Sequence, residues 1–257
     1  SYFLNSLCTL SVLASPVACA PTAGMRKFTH PNSTWIWTGF AEGTNGIFMA
    51  GHDGTTGQIY KLTLNTAGVT TALTESAVNA TMPTGEIINA ITTYLGRFMG
   101  ICTNRGFRVG QIDDNGDVSY GPLLFTNGDG ARCVTGFDRF FWVGASNAVD
   151  GFAGLYRVDL GQITQDQGAI PTVRFAYASD LSGGQTGIVQ SVTTLGNANR
   201  RVFSINTVGT RYEHDTELEA EGVLTTGRIR FNTLENQLYK FASIRCPDNA
   251  VPSSGAM

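Results

Sequence analysis

Residues 34–73 read TWIWTGFAEGTNGIFMAGHDGTTGQIYKLTLNTAGVTTAL. Four short apolar runs, 34–40, 46–51, 58–64 and 69–73, are rich in aromatic and β-branched residues. The first two turns between them are Glu42-Gly43-Thr44-Asn45 and Asp53-Gly54-Thr55-Thr56-Gly57. Runs of this length, bounded by Gly, Asn and Asp clusters, are the signal of strands joined by hairpins. The stretch predicts four antiparallel strands in up-and-down order.

The same phrase returns along the chain. Runs 87–95, 97–103, 107–112 and 118–124 make a second unit. Runs 133–137, 140–144, 154–160 and 172–178 make a third, and 188–195, 201–206, 210–213 and 223–231 a fourth. Aligning the units on Ile36, Ile91, Val134 and Val192 gives intervals of 55, 43 and 58 residues. Propeller blades repeat every ~40–50 residues. Each unit begins apolar and rich in small residues and ends more polar, the order expected from a channel-lining strand to a solvent-facing one. The expected fold is therefore all-β: a β-propeller-like array of about four to five four-stranded antiparallel units. A large β-sandwich is the alternative, since it also shows short alternating strands. Acids and glycines interrupt every candidate helix.

The reading divides the chain into three parts. Residues 1–30 hold strands that complete or precede a blade, residues 31–231 form the repeat domain, and residues 232–257 form a linker and the first strand of a second β module. In the N-terminal part, residues 7–20 resemble the apolar region of a signal peptide, but the first basic residue is Arg26. A signal peptide needs a positive segment before its apolar core. Leu10 and Val12 alternate with Thr9 and Ser11, and the strand reading is preferred. The chain does not begin with Met, so it is expected to be a processed chain or a portion of a longer protein.

Composition excludes several classes. A net charge of -3 argues against nucleic acid as a partner, which needs a basic surface. No apolar run reaches the ~18 residues of a membrane span. The 31 glycines and the low share of charged residues, 14%, fit many short strands and turns. The five cysteines, Cys8, Cys19, Cys102, Cys133 and Cys246, are widely spaced and form no C-x-x-C pair. They are expected to be reduced thiols, with Cys102 and Cys133 the pair to watch.

No motif carries a strong chemical signature, and no catalytic, cofactor-binding or metal-ligating residue is assigned. Asp113-Asp114-Asn115-Gly116-Asp117 resembles a short calcium loop, but Pro122 stands where the loop needs Glu, and a tight hairpin is expected. His30, His52 and His214 fall in no zinc-binding spacing. Gly128-Asp129-Gly130 and Ser182-Gly183-Gly184 lack the helix and Lys of a phosphate loop. Asp215, Glu217, Glu219 and Glu221 share one face of an extended segment, read as a solvated edge that blocks strand pairing rather than as a glycosidase pair. Trp35 and Trp37 share a strand face and, with Trp142, are read as packing residues before sugar platforms. Asn32-Ser33-Thr34 and Asn79-Ala80-Thr81 match the glycosylation pattern.

The C-terminal phrase is more particular. Glu221-Gly222-Val223-Leu224-Thr225-Thr226-Gly227-Arg228-Ile229-Arg230-Phe231-Asn232-Thr233-Leu234-Glu235 precedes Leu238-Tyr239-Lys240. It resembles a segment of minor tail proteins of long, non-contractile-tailed bacteriophages, notably those of actinobacteria. Asn236-Gln237 stands where that segment has a Pro-Lys-like pair. The resemblance implies a non-enzymatic virion structural protein of the tail tip or baseplate, made in the bacterial cytoplasm. It implies other tail proteins as partners, a homo-oligomer, and a host-surface glycan or protein as a further contact. The alternative is a secreted propeller that binds or cleaves carbohydrate. At the joint, Val223, Ile229 and Phe231 would form an apolar strand face, and Arg228 and Arg230 would pair with the acids of 215–221.

Overall fold

The computed structural model describes residues 2–4, 9–12, 26–43, 46–62, 77–126, 130–146, 152–166, 172–195 and 200–213. All belong to the compact unit Ser1–Asp215; the second unit, Thr216–Met257, lies outside them. So do the strands expected at 69–73, 223–231 and 238–244, the acids of 215–221, and His214.

The described residues form an all-β, propeller-like array with no helix. Strands β1 (Tyr2–Leu4), β2 (Thr9–Val12) and β3 (Arg26–Thr29) form an antiparallel sheet. The strand expected at Leu10 and Val12 is β2. The second sheet is β4 (Ile36–Gly43), β5 (Gly46–His52), β6 (Gly57–Leu62) and β7 (Ala77–Thr81). The third runs through β8 (Ile88–Tyr94), β9 (Phe98–Thr103), β10 (Gly106–Ile112) and β11 (Val118–Tyr120), with β12 (Phe125–Thr126) also paired to β10. The fourth is β13 (Cys133–Phe137), β14 (Phe140–Ser146), β15 (Phe152–Asp166) and β16 (Thr172–Thr186). The fifth is β17 (Val189–Leu195), β18 (Arg200–Ile205) and β19 (Gly209–Tyr212).

Every sheet is a meander, and the first strands meet in series: β4 packs on β8, β8 on β13, and β13 on β17. That arrangement, with sheets face to face, is the propeller layout rather than the two-layer sandwich.

Strands β7, β11, β15 and β16 depart from the sequence expectation; β7 (Ala77–Thr81), the fourth strand of the second sheet, falls where no strand is expected. The run 118–124 is not one strand, because β11 stops at Tyr120. Gly121 N–H still donates to Val109 O at 2.9 Å, but Pro122 has no N–H to continue the ladder. Strands β15 and β16 extend well past 154–160 and 172–178. Past Leu160 the β15–β16 ladder shifts register between Asp159 and Ile163 and resumes. A bulge of this kind absorbs residues that would otherwise end a strand.

Alternation assigns each strand's two faces to two neighbouring sheets. On β9, Met99 and Ile101 join Phe48, Ile59 and Ile91 in a core between the second and third sheets. Cys102, with Phe107 from β10, faces Phe141, Val143 and Val158 of the fourth sheet. On β14, those odd-numbered residues look back, while Trp142 joins Leu155, Val189 and Ile205 against the fifth sheet. Burial on both faces explains why β5, β9 and β14 read as almost unbroken apolar runs. Each large side chain so buried contributes about 1.5–3 kcal/mol.

Close approach explains two of the glycines. A Cβ at Gly136 would lie 2.3 Å from the Tyr94 ring of the third sheet. A Cβ at Gly144 would lie 2.4 Å from Cys133 Sγ and 2.7 Å from Val189 Cγ1.

Candidate functional site

The sequence features settle first. Asp113-Asp114-Asn115-Gly116-Asp117 is the expected tight hairpin, closing β10 onto β11. Asp113 Oδ1 accepts from Asn115 N–H at 2.9 Å and Asp117 N–H at 2.7 Å. These backbone bonds, with Asp117 first, hold the Asp113 carboxyl below its ordinary pKa. The hairpin is also a staple to the second sheet. Lys61 Nζ donates to Asn115 O and lies 3.4 Å from Asp117 Oδ1. Asn79 Oδ1 accepts from Val118 N–H at 2.7 Å, and its Nδ2 donates to Gly116 O at 3.4 Å. The Asn79 amide, part of a glycosylation-like triplet, is thus committed to an inter-sheet contact.

Trp35 and Trp37 are packing residues, 3% and 6% exposed. They surround His30 with Tyr60: the His30 ring stacks on Trp35 at 4.2 Å and meets Trp37 and Tyr60 edge-on. Asn32 N–H donates to His30 Nδ1 at 3.1 Å, which leaves the ring proton on Nε2, 2.8 Å from the Tyr60 hydroxyl. Tyr60 in turn donates to Gln58 Oε1 at 2.9 Å. Burial lowers the pKa of His30, against smaller opposing effects of the Asn32 backbone and Asp53. His52 is lowered by burial too, and its Nδ1 accepts from Gly54 N–H at 3.1 Å in the turn.

Both described cysteines are reduced and buried. Burial is the main cause that raises the Cys102 thiol well above its ordinary pKa. Cys133 is pushed up to about 12 by burial, against the Gly144 backbone contact. Cys8, Cys19 and Cys246 lie outside the described residues, as do Gly128 and Asp129. Ser182-Gly183-Gly184 lies within β16.

One constellation was not expected. On the face of the fourth sheet toward the fifth, arginines and aromatic rings alternate. The Arg139 guanidinium lies 5.1 Å from the Phe140 ring, and Arg157 lies 5.4 Å from Phe140 and 5.6 Å from Trp142. Arg201, from β18, lies 4.2 Å from Trp142. Arg139 is paired with Asp159 at 2.9 Å, and Arg201 with Glu213. Two clefts, of about 210 and 400 Å³, open along this ladder and share Phe140 and Arg157 as walls. The strand register builds the ladder: Arg157 lies opposite Trp142 in the β14–β15 pair, and Phe140 lies opposite Asp159. Sequence reading missed it because its members are spread from Arg139 to Arg201. Alternation places Phe140 and Trp142 on one face of β14, the β14–β15 register brings Arg157 to them, and packing of the fifth sheet on the fourth brings Arg201.

No known family model and no curated protein matches this chain. Among solved structures, the chain is similar to the computationally designed Ika4 protein, with 13% identity, 69% of this chain and 90% of that one covered, and a TM-score of 0.45. It is also similar to the WD40 domain of Neurospora crassa Pan2, with 13% identity, 82% and 70% covered, and a TM-score of 0.42. The propeller-like architecture stands on its own strand order and sheet contacts.

Proposed function

We propose that the chain is a non-enzymatic structural protein of a bacteriophage tail tip or baseplate. The observation that carries the reading is the phrase at 221–235, with its resemblance to minor tail proteins. The array that precedes it supports the reading: its third and fourth sheets are packed on both faces, and the second and third are stapled by Lys61, Asn79 and the pair of Arg108 with Glu86. Such a body suits load-bearing assembly with other tail proteins and with further copies of itself. In this reading the protein resides in the virion tail, after synthesis in the bacterial cytoplasm, and can meet a host-surface glycan or protein.

A second reading, a secreted carbohydrate-binding or carbohydrate-cleaving propeller, is favoured by the arginine–aromatic clefts. The neighbourhood of the coding sequence separates the two. Flanking genes for tail assembly are expected. Flanking genes for polysaccharide uptake and breakdown would overturn the tail reading.

A further inference from the structure

We infer that the ladder of Arg139, Phe140, Arg157, Trp142 and Arg201 is a binding site for an acidic glycan, one that carries carboxylate or phosphate groups. This names the chemical class of the glycan that the proposed function leaves open, and a failure to bind it would leave the tail reading standing.

Arg157 is central. Its guanidinium packs against two aromatic rings, which hold its plane while leaving its N–H groups to bond. No carboxylate among the described side chains pairs with it, whereas Arg139 and Arg201 each have one. Arg157 is half-buried and forms a wall of both clefts. A half-buried cation held this way favours a partner that brings an oxyanion, because planar guanidinium and carboxylate or phosphate oxygens match in pairs. Trp142 adds a second observation: it lines the smaller cleft, and its buried indole N–H has no acceptor among the described residues.

The geometry favours a chain over a single ion. The two clefts run together, with Arg201 beside one and Arg139 beside the other. Asp138 also lines the smaller cleft and Asp159 the larger, so the attraction centres on Arg157, flanked by two ion-paired arginines, and suits a polymer whose negative groups are spaced apart. Nucleic acid is disfavoured because the protein as a whole carries net charge -3. A glycan also presents apolar sugar faces and hydroxyls, which fit the ring edges of Phe140, the small floor of Ala176 and Ala178, and the amide of Gln162.

The test uses the full chain in calorimetric titration against four probes: an oligogalacturonate, a poly(glycerol phosphate), a neutral malto-oligosaccharide and a single-stranded oligonucleotide. One or both anionic glycan probes should bind, and binding should weaken as salt is raised. Preference between them tells carboxylate from phosphate. Arg157→Gln should weaken binding about tenfold, with Arg97→Gln, on the third sheet, as the unchanged control. Asp159→Asn frees Arg139 from its partner and should tighten binding about threefold, a gain that misfolding cannot mimic. The inference is overturned if neither anionic glycan binds. It is equally overturned if the neutral sugar or the oligonucleotide binds as well, if Arg97→Gln matches Arg157→Gln, or if Asp159→Asn fails to tighten binding.

Discussion

Arg108 grips Glu86 with two parallel hydrogen bonds, Nε to Oε1 and Nη2 to Oε2, each 2.8 Å long. Its third arm, Nη1, donates to Gly121 O at 2.8 Å. Glu86 is 1% exposed, so this pair sits where the link between the second and third sheets turns inward. Removing one partner of a buried pair leaves the other charged and uncompensated, at a cost of about 3–5 kcal/mol. Arg108→Met is expected to lower stability by that amount in urea. Arg108→Met combined with Glu86→Leu is expected to recover most of it, because no charge is then left behind. A double variant no more stable than the single one would show that the pair does not act as a unit.

Gly144 lets the fourth and fifth sheets touch. With a Cβ 2.4 Å from Cys133 Sγ and 2.7 Å from Val189 Cγ1, Gly144→Ala must push the sheets apart. A loss of about 1–3 kcal/mol is expected in chemical denaturation. Gly121→Ala is the comparison, since a Cβ there would meet only Val109 O at 3.5 Å. It is expected to be neutral or slightly stabilising. Equal effects at the two positions would contradict the packing described between the sheets.

The local signals in the sequence carried far. Trp35 and Trp37 both pack inside as read, although Trp35 precedes β4 and does not share its strand face, and Asn115-Gly116 needs a hairpin; both follow from a few adjacent residues. Signals that depend on registration between sheets were not legible. Nothing near Asn79 says that its amide will hold the backbone of Val118, and nothing near Glu86 points to Arg108. The arginine ladder belongs to the same class: Trp142 read as core, which it is, but its face toward Arg157 and Arg201 is set by strand pairing and blade packing. The length of β15 and β16 belongs to the same class, since only strand pairing shows that the ladder resumes past the register shift between Asp159 and Ile163.

Acid should destabilise the protein in two stages. His30 and His52 have folded pKa values below the ordinary 6.5, so the unfolded chain takes up protons first as pH falls. Their contribution is present above about 6.5 and is lost progressively below it. Asp113 and Asp53 are also lowered, from 3.8, so their contribution is lost only at still lower pH. Melting temperature against pH should therefore begin to fall below pH 6.5, and His30→Phe, which cannot take up a proton, should flatten that first stage. An unchanged slope in the variant would remove His30 from the explanation.

The thiols of Cys102 and Cys133 should be silent in the folded protein. Both are raised by burial, Cys133 to about 12, so neither offers thiolate near neutral pH. Peptide mapping after alkylation at pH 8 should find both unmodified in the native protein and both modified in denaturant. Because their folded pKa values exceed the unfolded ones, they contribute stability below about pH 9 that is lost as pH rises further. Rapid native labelling of either would mean that the inter-sheet packing around it is open.

The proposal that this chain belongs to a phage tail tip is tested most directly by locating it in particles. Virions purified from a host that produces the protein would be labelled with antibody raised against residues 31–213 and gold, then viewed by electron microscopy. The account predicts gold confined to the distal end of the tail, with the chain found in the particles by mass spectrometry. Particles that lack the chain, with the protein free in the medium, would contradict it.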